Sequence, residues 1–209
     1  MKLVLASNNA KKLTELQALF VGLPIELIGQ GSLGVAEADE PHHTFIENAL
    51  AKARHAARQT GLPAIADDSG LCVAALGGAP GVQSAHYAGD TGARGDREAR
   101  RRAQDAANNA RLLGEMAGLA HRSARFVSTL VALRHADDPE PLVAFGRWEA
   151  TLLTAARGHG GFGYDPLVWI ESLNASVAEL NAEQKNAVSH RALAAMQMCR
   201  LMREAWSLA

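Results

Sequence analysis

The sequence has few cysteines, few aromatic residues and no marked excess of either charge. Its two cysteines, Cys72 and Cys199, lie far apart in apolar contexts, which favours buried thiols in a reducing compartment over a disulfide or a zinc site. Lys plus Arg number 21 and Asp plus Glu 22, so the net charge of −1 argues against a broad nucleic-acid or membrane-surface interface. The first apolar run is too short for a signal sequence, and no run approaches transmembrane length. We therefore predict a cytoplasmic protein with no membrane and no stable nucleic-acid partner.

The remaining composition is that of a globular protein with a sizeable core. The chain has 209 residues, of which 48% are hydrophobic and 21% charged. Hydrophobic periodicity predicts a mixture of helices and strands in one domain over residues 1–209, either undivided or built of two lobes. The predicted strands are Leu3–Ala6, Ile25–Ile28, the run before Asp67, Ala124–Leu133, Leu142–Phe145, Trp148–Leu153 and Leu167–Ile170. Helices are predicted at about 13–20, 44–60, 96–116 and from 190 onwards.

Two adjacent carboxylates, Asp67 and Asp68, end an apolar run and precede Ser69 and Gly70. Successive strand residues face opposite ways, so these carboxylates diverge unless the chain bends, and Gly70 would supply a bend. Burying two ionised carboxylates is costly without a cation or hydrogen-bond donors, and Mg²⁺ prefers carboxylate oxygens. An ordinary Asp-Ser-Gly turn accounts for the same residues. The pair alone therefore leaves a metal site and a turn both open.

A strand, a polar loop and a helix follow one another near the N terminus. Leu3–Ala6 leads through Ser7, Asn8 and Asn9 into the first predicted helix, so free backbone N–H groups face the loop, where anions bind well. Ser7 or Asn9 could equally be a simple helix cap. Lys12 opposes the helix dipole at this end, which a bound anion would explain. We interpret the segment as a phosphate-binding candidate.

The predicted helix at 96–116 has small and basic residues in alternation. The residues expected to face inward are Ala99, Ala103, Ala106, Ala110 and Leu113. A basic cluster comprises Arg97, Arg100, Arg101 and Arg102. We interpret this cluster as a solvated helix face, with a partner surface as the weaker alternative.

A glycine-rich loop at 158–165 carries Phe162, Tyr164 and Asp165 among its glycines. Glycine permits a close approach of backbone to a ligand, either aromatic ring could stack on a planar base, and Asp165 could accept hydrogen bonds from it. A hairpin with buried aromatic residues explains the loop equally well. Lys185 and the segment Ser189-His190-Arg191 place further donors at a helix start, where a surface cap is the simpler interpretation.

These segments form a recognisable series. In chain order they are Ser7-x-Asn9-x-x-Lys12, Thr44-Phe-Ile-Glu-Asn-Ala49, Asp67-Asp68-Ser69-Gly70-Leu71, Leu76-Gly-Gly-Ala-Pro-Gly81, Gly161-Phe-Gly-Tyr-Asp-Pro166 and Glu183-x-Lys185-Asn-x-x-Ser-His-Arg191. From residue 3 to about residue 200 the chain resembles the inosine/xanthosine triphosphate pyrophosphatase family, which hydrolyses non-standard purine nucleoside triphosphates. The resemblance implies a mixed α/β fold with an elongated central β-sheet flanked by helices. It also implies two lobes with a central nucleotide cleft, and a homodimer.

The same resemblance implies a role for each matched residue. The triphosphate-binding segment falls on Ser7, Asn8, Asn9, Ala10, Lys11 and Lys12. Glu40 and Asp68 would bind Mg²⁺, and Asp68 would also be the general base for the attacking water, with Ser69 contacting substrate. Base recognition falls on Phe162, Gly163, Tyr164 and Asp165, with Lys185, His190 and Arg191 reading the 6-keto group. The implied reaction is Mg²⁺-dependent hydrolysis of dITP, ITP and XTP to the monophosphate and pyrophosphate, which would cleanse the nucleotide pool.

Two other functions stay open at the level of sequence. One is a nucleotide pyrophosphatase with a different base preference, which turnover of dITP, XTP, dATP and dTTP would distinguish. The other is a nucleotide-binding module without catalysis. Paired acidic residues together with a phosphate-binding helix argue against the second, because binding alone does not require them.

Overall fold

The computed structural model describes residues 1–208 and confirms the predicted mixed α/β class. The strands are β1 (Lys2–Leu5), β2 (Glu26–Gly29), β3 (Ala64–Val73), β4 (Ser123–Leu133), β5 (Leu142–Leu152), β6 (Val168–Ile170) and β7 (Ala175–Ser176). The α-helices are α1 (Ala10–Leu19), α2 (Phe45–Thr60), α3 (Arg97–Glu115), α4 (Ala182–Val188) and α5 (His190–Ala205). Within the described residues, no helix has the length and apolar character needed to cross a membrane.

All of these strands join one mixed sheet. Its strand order is β2-β1-β3-β4-β5-β6-β7. Strand β1 runs parallel to both β2 and β3, whereas β6 runs antiparallel to β5 and β7. The mixed, helix-flanked sheet that the resemblance implied is confirmed.

The helix starts follow the sequence signals closely. The Asn9 side chain accepts hydrogen bonds from the backbone N–H groups of Lys11 and Lys12, at 3.0 and 3.2 Å, and so caps α1. Thr44 caps α2 by accepting a hydrogen bond from the Glu47 N–H, and Gly61 ends that helix in a left-handed conformation with φ of +67°. A polar side chain that satisfies an orphan helix N–H contributes about 1 kcal/mol.

The chain divides into two compact units. The first comprises Met1–Asp68, Ser128–Arg147 and Val188–Ala209, and the second comprises Ser69–Val127 and Trp148–Ala187. In the first unit, strand alternation separates two apolar clusters. Leu3 and Leu5 of β1 belong to the cluster that includes Leu16 of α1 and Met198 of α5. The second cluster includes Val4 of β1 and the adjoining Ala6 with Ala49, Ala53 and Ala56 of α2.

The second unit has one apolar cluster. Leu71 and Val73 of β3 pack in it with Leu112 of α3, Trp148 of β5 and Tyr164. All five side chains are at most 7% exposed. The rings of Trp148 and Tyr164 contribute large buried areas to this cluster.

Two predictions about local structure are wrong: the buried face of α3 and a break between two strands at Gly146. The alanine stripe predicted for α3 is not the buried face, because Ala99, Ala106 and Ala110 are exposed while Asn108 and Leu112 are buried. Hydrogen bonds from Asn108 to backbone carbonyl oxygens override the apolar pattern there. The two strands predicted on either side of Gly146 are one continuous strand, β5. A Cβ atom at position 146 would lie 1.8 Å from the His190 carbonyl oxygen, so the glycine allows β5 to pack closely on α5.

Candidate active site

The predicted site residues are shared between the two units. The first unit contains Glu40, Asp68, His190, Arg191 and the segment 7–12, and the second contains Ser69, Lys185 and the loop 162–165. Within each unit, most of these residues lie in a connected network of polar contacts.

Asp67 is the centre of a buried ion-pair network in the first unit. Its Oδ1 accepts a hydrogen bond from the Ser128 hydroxyl at 2.8 Å. Its Oδ2 lies 3.0 Å from Nε and 2.9 Å from Nη2 of Arg191, and 3.2 Å from Nζ of Lys12. Burial alone would raise the pKa of Asp67, but the charges of Arg191 and Lys12 hold it well below its usual range. Asp67 is therefore an ionised structural anion.

Asp68, the next residue along β3, has different partners. Its Oδ1 lies 2.8 Å from Nζ of Lys52 on α2, while its Oδ2 is buried without a hydrogen-bond partner. Burial raises the pKa of Asp68 to about 6, although the Lys52 charge opposes the shift. Adjacent carboxylates thus have opposite pKa shifts, because successive strand residues meet different surroundings.

Lys52 was missed by the sequence reasoning. Its Nζ lies 2.8 Å from both the Asp68 and the Glu40 carboxylates and donates to the Asp67 carbonyl oxygen at 3.2 Å. Burial would lower the pKa of Lys52, but Asp68 and Glu40 raise it above the usual value. A sequence signal did exist, since a lysine lies among the alanines of the buried face of α2.

Glu40 and Asp68 fit the requirements of a magnesium site. The two carboxylates converge on the Lys52 ammonium, and the Asp68 Oδ2 atom is buried without a donor. Asn48 holds the nearby chain by hydrogen bonds to the backbone N–H and C=O of His42, at 3.0 and 3.2 Å. Over residues 1–208 there is no cluster of three or more acidic, histidine or cysteine ligands. Mg²⁺ needs no such cluster, because one or two carboxylates with water and substrate phosphates commonly suffice.

The predicted phosphate-binding segment forms the start of α1. The Ser7 hydroxyl accepts a hydrogen bond from the Asn9 N–H at 3.2 Å, and the Asn8 Oδ1 is buried without a partner. Ala10 and Lys11 are exposed on the first turn. Lys12 faces Asp67, so a protein carboxylate already compensates a lysine whose position had been attributed to a bound anion. The phosphate-binding role of the segment stays a prediction.

Arg191 and His190 open α5, which Ser189 caps through a 3.2 Å hydrogen bond from the Ala192 N–H. The Arg191 guanidinium is 2% exposed and is paired with Asp67 and with Glu15 of α1. His190 is also buried. Their predicted role in base recognition stays a prediction. The ion pairs of Arg191 make it part of the charged network of the first unit.

The predicted base loop, residues 162–165 of the second unit, is held in place by contacts of its own Asp165 side chain. The Asp165 Oδ2 accepts hydrogen bonds from the Phe162 N–H at 2.9 Å and from Nζ of Lys185 at 3.0 Å. The Lys185 Nζ also lies 4.6 Å from the centroid of the Phe162 ring, a cation–π distance. Gly161 has φ of +73°, and a Cβ there would lie 2.0 Å from the Asp165 Oδ2. A glycine is therefore required before Phe162.

Gly70 and Tyr164 both lie against the segment around Ser84. A Cβ on Gly70 would lie 2.4 Å from the Gly81 carbonyl oxygen and from the Ser84 Oγ, which itself accepts from the Leu71 N–H at 2.9 Å. The bend expected at Gly70 is wrong, because β3 continues to Val73 and the glycine instead permits this close approach. Tyr164 is buried, and its hydroxyl donates to the Ser84 carbonyl oxygen at 2.9 Å.

Comparison with known proteins assigns the chain to a protein family. The model of the Ham1 family matches residues 3–201. The chain belongs to the Ham1 family. A protein of Methylibium petroleiphilum named dITP/XTP pyrophosphatase is 68% identical over 206 residues, which are 99% of this chain and 99% of that protein. A protein of the same name from Leptothrix cholodnii is 70% identical over 212 residues and covers 100% of both chains.

Solved Ham1 structures have the same fold. The Ham1 protein of Coxiella burnetii is 42% identical and superposes with a TM-score of 0.86, over 98% of this chain and 99% of that one. The Staphylococcus aureus Ham1 protein is 32% identical with a TM-score of 0.82, over 98% and 100%. The predicted family and the predicted enzyme class, a nucleoside triphosphate pyrophosphatase, are thereby confirmed.

Proposed function

We propose that this Ham1-family chain hydrolyses the non-standard purine nucleoside triphosphates dITP, ITP and XTP to the nucleoside monophosphate and pyrophosphate. The names of full-length relatives at 68 and 70% identity support this substrate class. The structural observation that carries the proposal is Asp68, a buried carboxylate with an unpartnered oxygen and a pKa raised to about 6. Such a group, next to a second carboxylate and a lysine, is suited to hydrolytic chemistry.

Asp68 is the proposed general base. A pKa of about 6 leaves the carboxylate mostly ionised at neutral pH, yet basic enough to take a proton. Its Oδ2 would accept the proton of the attacking water, because Oδ1 is occupied by Lys52. Lys52 would keep that carboxylate oriented throughout.

Glu40 and Asp68 are the proposed residues that hold Mg²⁺. The ion would neutralise negative charge on the phosphate oxygens and hold the substrate in place. The ammonium groups of Lys12 and Lys52, each within 3.2 Å of a carboxylate oxygen, would add positive charge for the departing pyrophosphate.

Base recognition is proposed for the loop 162–165 and Lys185. Phe162 offers a ring for stacking, and the Lys185 ammonium, 4.6 Å from the ring centroid, is a donor suited to a 6-keto oxygen. Adenine carries an amino group at that position and would leave a buried donor unpaired, which can discriminate strongly. His190 and Arg191 stay candidates for the same role.

A substrate panel tests the proposal directly. We expect dITP, ITP and XTP to be hydrolysed with Mg²⁺ and to release pyrophosphate as the first product, with dATP and dTTP turned over much more slowly. Removing Mg²⁺ with a chelator should abolish turnover, and adding it back should restore it. Orthophosphate as the first product, or equal turnover of dATP, would refute the proposal.

The cellular role is proposed on the same basis. The chain would cleanse the nucleotide pool in the cytoplasm as a homodimer, as the family resemblance implies. Light scattering after size-exclusion chromatography should give twice the chain mass of 22.1 kDa. A mass that stays at one chain over a range of concentrations would exclude the dimer.

A further inference from the structure

The face of α3 that meets the predicted base loop is polar and half-buried. Three residues one turn apart, Arg101, Asp105 and Asn109, contact two consecutive loop residues. Residues spaced by four lie on one helix face, so these side chains form a single row. The base loop is thereby supported along one row of a rigid element.

The contacts in this row are specific to backbone groups. Asp105 Oδ2 accepts a hydrogen bond from the Gly163 N–H at 2.9 Å, and Asn109 Nδ2 donates to the Gly163 carbonyl oxygen at 3.0 Å. Gly163 thus has both its peptide donor and its peptide acceptor satisfied by α3. Gly163 also has φ of +62°, a conformation that L-residues rarely adopt and that this pair of hydrogen bonds would stabilise.

The third contact is to the ring beside Gly163. The Arg101 guanidinium lies 5.6 Å from the centroid of the Phe162 ring, while Lys185 lies 4.6 Å from the same centroid. Phe162 and Gly163 are thereby constrained by α3, and Asp165 constrains the Phe162 N–H separately. Because a stacking ring must be held in one place to discriminate between bases, rigid support of this kind favours specificity.

We propose that Asp105 and Asn109 are positioning residues that set base specificity by fixing the Gly163 peptide and hence the Phe162 ring. The proposal deepens the proposed function and rests on the loop 162–165 being the base-binding element. Neither side chain would touch the substrate. Each would act through the loop, so losing one should relax selection between bases more than it slows the chemical step.

Two variants test the row. Asp105→Ala removes the acceptor for the Gly163 N–H, and Asn109→Asp replaces the donor with a repelling oxygen at nearly constant size. We expect each to raise the KM for dITP roughly tenfold and to lower the dITP-to-dATP ratio of kcat/KM similarly, with kcat changed less than about threefold. Asp105→Asn, which keeps an acceptor oxygen, should restore most of the ratio. Arg102→Ala, on the exposed side of α3 with a side chain 76% exposed, is the matched control and should behave as wild type.

The outcomes separate the two proposals. Wild type that does not release pyrophosphate from dITP would refute the proposed function. Wild type that does so, with KM and the substrate ratio unchanged in both variants, would refute the positioning role alone. A fall in kcat with unchanged KM and ratio, or a loss of selectivity in Asp105→Asn equal to that in Asp105→Ala, would also refute it. Circular dichroism and the thermal midpoint of each variant identify any loss caused by unfolding.

Discussion

The acidic region around β3 and the base loop hold their functional groups by different physical means. Around β3 the connections are between charged side chains from distant parts of the chain, as in the Arg191–Asp67–Lys12 network. In the base loop they are mainly hydrogen bonds between side chains and backbone groups, such as those that join α3 to Gly163 and the one that the Asp165 carboxylate accepts from the Phe162 N–H. Networks of charged side chains fix protonation states, whereas hydrogen bonds to backbone groups fix the conformation of the loop. The first suits phosphate chemistry and the second suits recognition of a flat base.

Closely packed glycines occur in both units. Gly161 and Gly70 are required because side chains or carbonyl oxygens stand where a Cβ atom would be, at 2.0 and 2.4 Å. Both lie in the second unit, and Gly146 of the first unit allows a similarly close approach to His190 on α5. In the first unit, the acidic pair follows Ala64 and Ala66, which pack against α2, and ion pairs with lysine and arginine hold its carboxylates.

The largest expected effect comes from Asp68→Asn. If Asp68 is the general base, the asparagine amide cannot accept the proton of the attacking water. The rate of pyrophosphate release should then fall about 10³-fold or more. Asp137→Asn, in an exposed turn after β4, is the control for changing an aspartate to asparagine. Wild-type turnover by Asp68→Asn would show that the acidic region does not perform the chemistry.

Asp67→Asn should instead act on stability. Removing one partner of a buried ion pair leaves Arg191 incompletely compensated, and we expect the free energy of unfolding to fall by about 3 kcal/mol in denaturant titrations. Because the pKa of Asp67 is lowered on folding, its contribution is complete above the ordinary pKa of about 3.9 and is lost as the pH falls below that value. The difference between wild type and variant should therefore shrink in acid. A difference that grows as the pH falls would contradict the ionised state of Asp67.

Gly161→Ala tests the contacts that hold the base loop. A methyl group would displace the Asp165 carboxylate from the Phe162 N–H and from Lys185, and we expect the KM for dITP to rise about tenfold. Gly118→Ala, in the turn after α3, is the matched comparison, since that residue also has positive φ but has nothing within 4 Å of the position that a methyl group would take. It should cost only about 1 kcal/mol of stability, from backbone strain. Equal effects of the two variants on KM would show that the Asp165 contacts are unimportant.

Tyr164→Phe should have the smallest effect. It removes one buried hydrogen bond to the Ser84 carbonyl oxygen, and we expect a loss of about 1 kcal/mol in the free energy of unfolding. The KM for dITP should stay within about twofold of wild type if the hydroxyl serves only packing. A large rise in KM would instead assign the Tyr164 hydroxyl to substrate binding.

Local signals predicted most of the secondary structure correctly. The caps Asn9, Thr44 and Asp96 start α1, α2 and α3, and Gly61 ends α2, because each satisfies or permits backbone geometry within a few residues. The buried face of α3 was predicted wrongly because it depends on residues that are distant in the sequence. Its alanines match a helical period, but the partners of Asn108 are the carbonyl oxygens of Ser84 and Ala85, which no local pattern reveals.

The sequence by itself determined the family, the order of the motifs and the identity of the candidate residues, since these depend only on residue types and their spacing. The resemblance already assigned the chemistry to Asp68 rather than Asp67, but only the tertiary structure shows which partners make the two carboxylates differ. Arg191 is 124 positions from Asp67 along the chain and Lys52 is 16 positions from Asp68. Which carboxylate is neutralised by buried cations and which keeps an unpartnered oxygen depends on these distant contacts, because desolvation and charge act through space.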